Sequence, residues 1–186
     1  MGPGLRCLDE CPADRVGQAL FINGTVGAGK TTTAHEIGKL LQNRAIPHAI
    51  IDLDSLRNAW PSPPDDRFNL ELELQNLAAV ASNFRDAGAE ILLVAGVIEV
   101  GAVRRRYEDA LGVPVTVCRL VVPLSHLRAR IVARHPPGAE RDWHLARTGE
   151  LDAILRAAQV DDFIVTAADD QPDAVATRVL ATVRWV

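Results

Sequence analysis

Lysine is nearly missing from this chain: Lys30 and Lys39 stand against 18 arginines. One lysine in the right setting is therefore informative, whereas any single arginine is as readily a solvated surface charge as a phosphate ligand. Cysteine is scarce too, and the odd count of Cys7, Cys11 and Cys118 excludes a disulfide framework and suits a reducing compartment. Cys7 and Cys11 could pair or share a metal, but no second pair and no histidine at ligand spacing accompanies them. No apolar run is long enough to span a bilayer, and residues 1–18 lack the apolar centre of a signal peptide. The Met1-Gly2 start lacks the downstream Ser/Thr of a myristoylation signal, so a cytoplasmic protein is the expectation. A net charge of −4 argues against a broad nucleic-acid surface. There is no internal repeat and no Asn-Lys pair, so the Asn-Lys-x-Asp motif of a guanine-specific switch is excluded.

With 48% hydrophobic content in 186 residues, the chain reads as one domain over residues 19–186, preceded by a loose tail at 1–18. Apolar runs alternate with helical patterns, which predicts parallel strands joined by crossover helices. The strand candidates are 19–23, 48–52, 91–96, 115–121 and 163–166. A helix is expected over 32–44, with Ala34, Ile37, Leu40 and Leu41 on one face. The clearest helix runs over 70–87, with Leu70, Leu74, Leu77, Ala81 and Phe84 in one stripe and Gly88 as the stop. The result is a three-layer α/β domain built on five parallel strands.

The lysine that matters lies in Gly24-Thr25-Val26-Gly27-Ala28-Gly29-Lys30-Thr31, which fits G-x-x-x-x-G-K-[ST] and continues into Thr32. Glycines let the backbone fold its amides around phosphate oxygens. Lys30 adds a mobile charge for the β- and γ-phosphates, and the Thr31 hydroxyl can ligate a magnesium ion bridging them. An apolar strand before the loop and a helix after it are the setting this chemistry needs, and the helix start brings the positive end of its dipole. The loop therefore predicts binding of ATP with Mg2+.

In a parallel sheet, ligands bind outside the carboxyl ends of the strands. One such end carries "IIDLDSLRNAWP". Asp52 and Asp54 flank one apolar residue there, so both can face the crevice above the phosphate loop. A carboxylate in that place can take a proton from an acceptor hydroxyl or hold magnesium. Asp54 serves equally as the cap of a short helix from Ser55, and Arg57 as an anion ligand or a surface ion pair. The expected roles are Asp54 as base, Asp52 as metal ligand and acceptor contact, and Arg57 as acceptor contact. The third strand ends in Ala95-Gly96, small residues that could leave room for substrate, with Glu99 following in the loop. Further on, Ser125 is a candidate cap for a helix that sets Arg130 and Arg134 four residues apart, and Arg141 follows the His135-Pro136-Pro137-Gly138 break. Residues 124–147 are thus expected to form a helical lid whose arginines, Arg130 and Arg134 above all, neutralise a moving phosphoryl group. The loop in "VTAADDQPDAV" is the positional candidate for holding adenine.

Taken in order, the phosphate loop, "DLDSLR", "RDAGAEILLVAG", a basic helix and "DDFIVTAADDQPDAV" resemble the small-molecule kinase branch of P-loop proteins from about residue 19 to 184. "IDLDSLR" is similar to the Leu-Asp-Gly-Asp-Asn-x-Arg segment of adenylylsulfate kinases, which maps onto Asp52, Asp54 and Arg57. "VIEVGAVRRRYEDAL" resembles their segment after the third strand, with Glu99-Val100 in place of their Ser-Pro. "DSLRNAWP" is also similar to a segment of chloramphenicol phosphotransferase, whose proposed base matches Asp54. The resemblance implies a P-loop NTPase fold with sheet order 2-3-1-4-5, ATP and Mg2+, and transfer of the γ-phosphoryl to a hydroxyl of a small acceptor. Monomer and homodimer are both open; a P-loop ATPase or nucleotide-dependent regulator without an acceptor is the alternative.

Overall fold

A computed structural model describes residues 17–168 and 170–185. Residues 1–16, with Cys7 and Cys11, lie outside it, and so does most of the tail expected at 1–18; Cys118 is a free, buried thiol. The strands are β1 (Gln18–Asn23), β2 (His48–Asp52), β3 (Ile91–Ala95), β4 (Val115–Val121) and β5 (Phe163–Thr166). They form one parallel sheet in the order β2-β3-β1-β4-β5, the order that the resemblance implies.

The sequence of β1 explains the three layers. Side chains alternate between the two faces of a strand, and β1 is apolar on both, with Ala19, Leu20, Phe21 and Ile22 wholly buried. Leu20 and Ile22 pack with Ala34, Ile37 and Leu41 of α1 (Lys30–Gln42) and with Val175, Val179 and Leu180 of α7 (Pro172–Val183). Ala19 and Phe21 pack on the other side with Leu74, Leu77 and Ala81 of α3 (Leu70–Asp86) and with Tyr107 and Leu111 of α4 (Gly101–Leu111). A strand covered on both faces reads as a continuous apolar run.

Several boundaries move. The first helix starts at Lys30, two residues before the sequence expectation, so the lysine and Thr31 belong to its first turn. Within the stripe of α3, Phe84 is 37% exposed and does not join the buried residues Leu74, Leu77 and Ala81. A short helix α2 (Leu53–Leu56) follows β2 directly, and its cap is Asp52, not Asp54. The basic helix α5 (Leu124–Arg134) begins one residue before Ser125, with Pro123 as N-cap and no side-chain cap bond. After the Pro136-Pro137 turn, α6 (Ala139–Ala158) continues well beyond the expected end at 147. No helix among the described residues is long and apolar enough to cross a membrane.

Candidate active site

The carboxyl ends of β1, β2 and β3 open into a cavity of about 490 Å3 whose walls include Lys30, Thr31, Asp52, Asp54, Arg57 and Arg134. Its floor is the loop between β1 and α1. Gly27 and Gly29 have φ of 80° and 93°, a left-handed conformation that side-chain-bearing residues avoid. No atom lies within 4 Å of where a Gly29 Cβ would stand, so the need for glycine there is conformational, not steric. The loop is anchored where it leaves β1. The buried Asn23 side chain accepts from the Gly24 amide at 2.9 Å and the Ile98 amide at 3.2 Å, and the buried Thr25 hydroxyl donates to the Thr148 carbonyl of α6 at 2.9 Å.

Lys30 folds back so that its Nζ donates to the Thr25 carbonyl at 3.3 Å. Burial pushes its pKa below the ordinary lysine value of 10.5, against the opposing fields of Asp54 and Asp52. A phosphate arriving in the cavity would favour the charged form again. The Thr31 hydroxyl donates to Asp52 Oδ2 at 2.7 Å, while Asp52 Oδ1 accepts from the Asp54 amide at 3.0 Å. The bond to Asp52 takes up the Thr31 proton and leaves a hydroxyl lone pair free. One hydroxyl and one carboxylate beside a phosphate cradle are the hard oxygen donors that Mg2+ accepts, since it keeps several waters and phosphate oxygens in its shell. The residues fit the ion.

Asp54 is the exposed acid of the pair, 79% accessible, and lies 3.5 Å from Arg57 Nε. Arg57 faces two ways. Its Nε is 2.7 Å from Oε2 of the buried Glu73, a Coulombic contact whose N–H direction misses hydrogen-bond alignment. Glu73 Oε1 accepts a 2.5 Å bond from the Tyr107 hydroxyl. Burial raises the Glu73 pKa, with Tyr107 and Arg57 pulling the other way. Nothing in the sequence separates Glu73 from Glu71, two residues earlier on the same helix, so this support escaped sequence reasoning.

The candidate lid arginines part company. Arg134 lines the main cavity and the smaller one beside it. Arg130 lines the smaller one alone, donating to the carbonyls of Gly27 at 3.3 Å, Ala167 at 3.4 Å and Ala168 at 3.0 Å. Ala167, Asp170, Pro172 and Val175, from the loop after β5 and the start of α7, complete this second cavity next to the phosphate loop. Arg141 lines neither. Glu99 does line the main cavity, but Arg147 of α6 holds its carboxylate. Phe68, with the Arg147 guanidinium 5.3 Å from its ring centre, completes that wall with Trp143. Sequence reasoning did not single out Phe68, Trp143 or Arg147. The small residue Gly96 serves packing instead of substrate: a Cβ there would stand 2.3 Å from Leu53 Cδ1.

No curated protein sequence matches the chain. Among solved structures, the tunicamycin resistance protein of Deinococcus radiodurans is similar with a TM-score of 0.65 and 22% identity, covering 90% of this chain and 95% of that one. A shikimate kinase from Bacteroides thetaiotaomicron gives 0.62 at 18% identity, covering 89% and 98%. The Mycobacterium tuberculosis APS kinase in complex with AMPPNP and APS gives 0.56 at 18%, covering 91% and 98%. At such identities these likenesses establish the fold. Residues 16–130, from the strand before the phosphate loop to Arg130, match the model of adenylylsulphate kinases, and the chain belongs to that family of P-loop kinases.

Proposed function

We propose that the chain transfers the γ-phosphoryl group of ATP to a hydroxyl of a small molecule: an adenylylsulfate-like nucleotide, an antibiotic or a metabolite. The observation that carries this reading is the convergence on one cavity of the glycine-loop lysine Lys30, a hydroxyl–carboxylate pair suited to Mg2+ and a separate, exposed carboxylate. Phosphoryl transfer needs positioning and charge neutralisation more than covalent help. The phosphate loop and Lys30 hold the β- and γ-phosphates. Thr31 and Asp52 would hold Mg2+, which would supply neutralisation of the phosphate charge. Asp54 takes the proton of the acceptor hydroxyl as its oxygen bonds to the γ-phosphorus, and the bond from that phosphorus to the bridging oxygen breaks to leave ADP. Arg57, steadied by Glu73, binds the acceptor side, and Arg134 faces the transferring group from the α5–α6 lid. Arg130 and the loop after β5 frame the base of the nucleotide.

The test is ADP release and product phosphorylation with a panel of hydroxylated nucleotides, antibiotics and metabolites. For an acceptor that is turned over, Asp54→Asn is expected to lower transfer by about 10²–10⁴-fold, the worth of a positioned base, while ATP-analogue affinity is retained. Asp52→Asn is expected to alter the magnesium requirement instead. ATP hydrolysis indifferent to every acceptor and unchanged in Asp54→Asn would replace this reading with that of an ATPase or nucleotide-dependent regulator.

A further inference from the structure

The described residues contain a cluster that phosphoryl transfer does not use. His135 follows α5, Glu140 and His144 lie four apart on α6, and one donor atom from each falls within 4.8 Å of the others. We propose that His135, Glu140 and His144 bind a divalent transition-metal ion of the zinc class, which ties the end of α5 to α6 at the rim of the cavity.

The distances are those of ligands that share one ion. Glu140 Oε1 stands 3.3 Å from His135 Nδ1 and 3.8 Å from His144 Nε2. Ligands at about 2.0–2.2 Å from a tetrahedral ion stand roughly 3.3–3.6 Å apart. A small shift of the exposed Glu140 side chain brings all three into that range. Its two partners are already placed: the imidazole centres are 4.5 Å apart, both rings are largely buried, and both line the cavity wall.

The chemistry agrees. Two imidazoles and one carboxylate favour zinc-class ions, whereas Mg2+ prefers oxygen and belongs at Thr31 and Asp52. Three protein ligands would leave a fourth position for water or another ligand. An ion there would link two helices otherwise joined through the Pro136-Pro137-Gly138 turn.

Chelator-treated full-length protein, held in excess Mg2+ without nucleotide or acceptor, is titrated with Zn2+ by calorimetry and with Co2+ by tryptophan fluorescence. Trp143 reports directly, its ring lying 4.9 Å from that of His144. One equivalent of Zn2+ is expected, weakened about tenfold or more in His135→Asn/His144→Asn and in Glu140→Gln. Co2+ should quench the fluorescence, and Trp143→Phe should remove most of that quenching. Circular dichroism establishes that the variants fold; if the double variant does not, His135→Asn alone carries the same criterion. No Zn2+ binding in the presence of Mg2+, or equal binding by wild type and the histidine variants, overturns the proposal. Because neither ATP nor acceptor is present, the outcome is independent of the kinase reading.

Discussion

Replacing Glu73 tests whether the cavity wall rests on a buried charge. The carboxylate has no exposed surface, lies 2.7 Å from Arg57 and accepts the Tyr107 hydroxyl at 2.5 Å. Breaking a buried pair by deleting one partner costs about 3–5 kcal/mol, and an abandoned buried hydroxyl about 1–3 kcal/mol. Two effects reduce the sum: Arg57 retains 21% exposure and can take water, and the desolvation cost of the carboxylate disappears. Glu73→Ala should therefore lose about 3–4 kcal/mol. Glu73→Gln keeps an acceptor for Tyr107 and removes the buried charge, so it should stay within about 1 kcal/mol of wild type near neutral pH.

The two variants also separate by pH. Burial raises the Glu73 pKa above its ordinary value of 4.5, so the folded protein binds this proton more tightly than the unfolded chain. That contribution is fully present below the unfolded value and is lost as pH rises through the folded one. Wild type should show this decline, and Glu73→Gln should lack it. Urea denaturation across the acidic to neutral range gives both quantities. A Glu73→Ala protein within about 0.5 kcal/mol of wild type, or a Glu73→Gln protein with the wild-type pH slope, would refute the reasoning. If Arg57 holds the acceptor, Glu73→Gln should also raise acceptor KM more than it lowers kcat, because the guanidinium loses its fixed counter-charge.

Other consequences are as direct. Because burial lowers the Lys30 pKa and phosphate binding needs the charged form, ATP-analogue affinity should decline with rising pH before 10.5 is reached; a profile flat up to that value would contradict the stated environment. Gly29→Ala meets no steric obstacle yet must hold φ at 93°, so it should lose about 1–2 kcal/mol of stability and weaken nucleotide binding; unchanged thermal denaturation would count against it. Gly96→Ala drives a methyl group into Leu53 and should lose about 1–3 kcal/mol, measured by denaturant unfolding. If α5 and α6 close over the nucleotide, hydrogen exchange in residues 124–158 should slow when an ATP analogue and acceptor are both bound, and equal exchange in both states would identify a static pair of helices.

The phosphate loop was legible because its requirements are local: a left-handed turn, a helix start and a lysine at one fixed offset, all within eight residues. The strands were legible because an apolar run such as Ala19–Ile22 must be covered on both faces, which demands helices on either side of a parallel sheet. Asp52 and Asp54 could be placed at the cavity for the same reason, since a strand end fixes where its last residues emerge. Their partners could not: one carboxylate oxygen of Asp52 meets Thr31, 21 positions earlier, and only tertiary packing brings the two together. Arg130 and Arg134 share a helix face and both line the smaller cavity, yet only Arg134 also lines the main one, because the carbonyls of Gly27, Ala167 and Ala168 capture Arg130. Glu71 and Glu73 look alike in sequence, but α3 leans on α4 so that the second lies under Tyr107. Arg147 on Glu99, and His135 beside His144, arise because α6 folds back across the Pro136-Pro137 turn onto the sheet's carboxyl end. Periodicity and backbone preference act over a few residues and can be read along the chain; a pairing between distant side chains is fixed only when the packed layers set the distance between them.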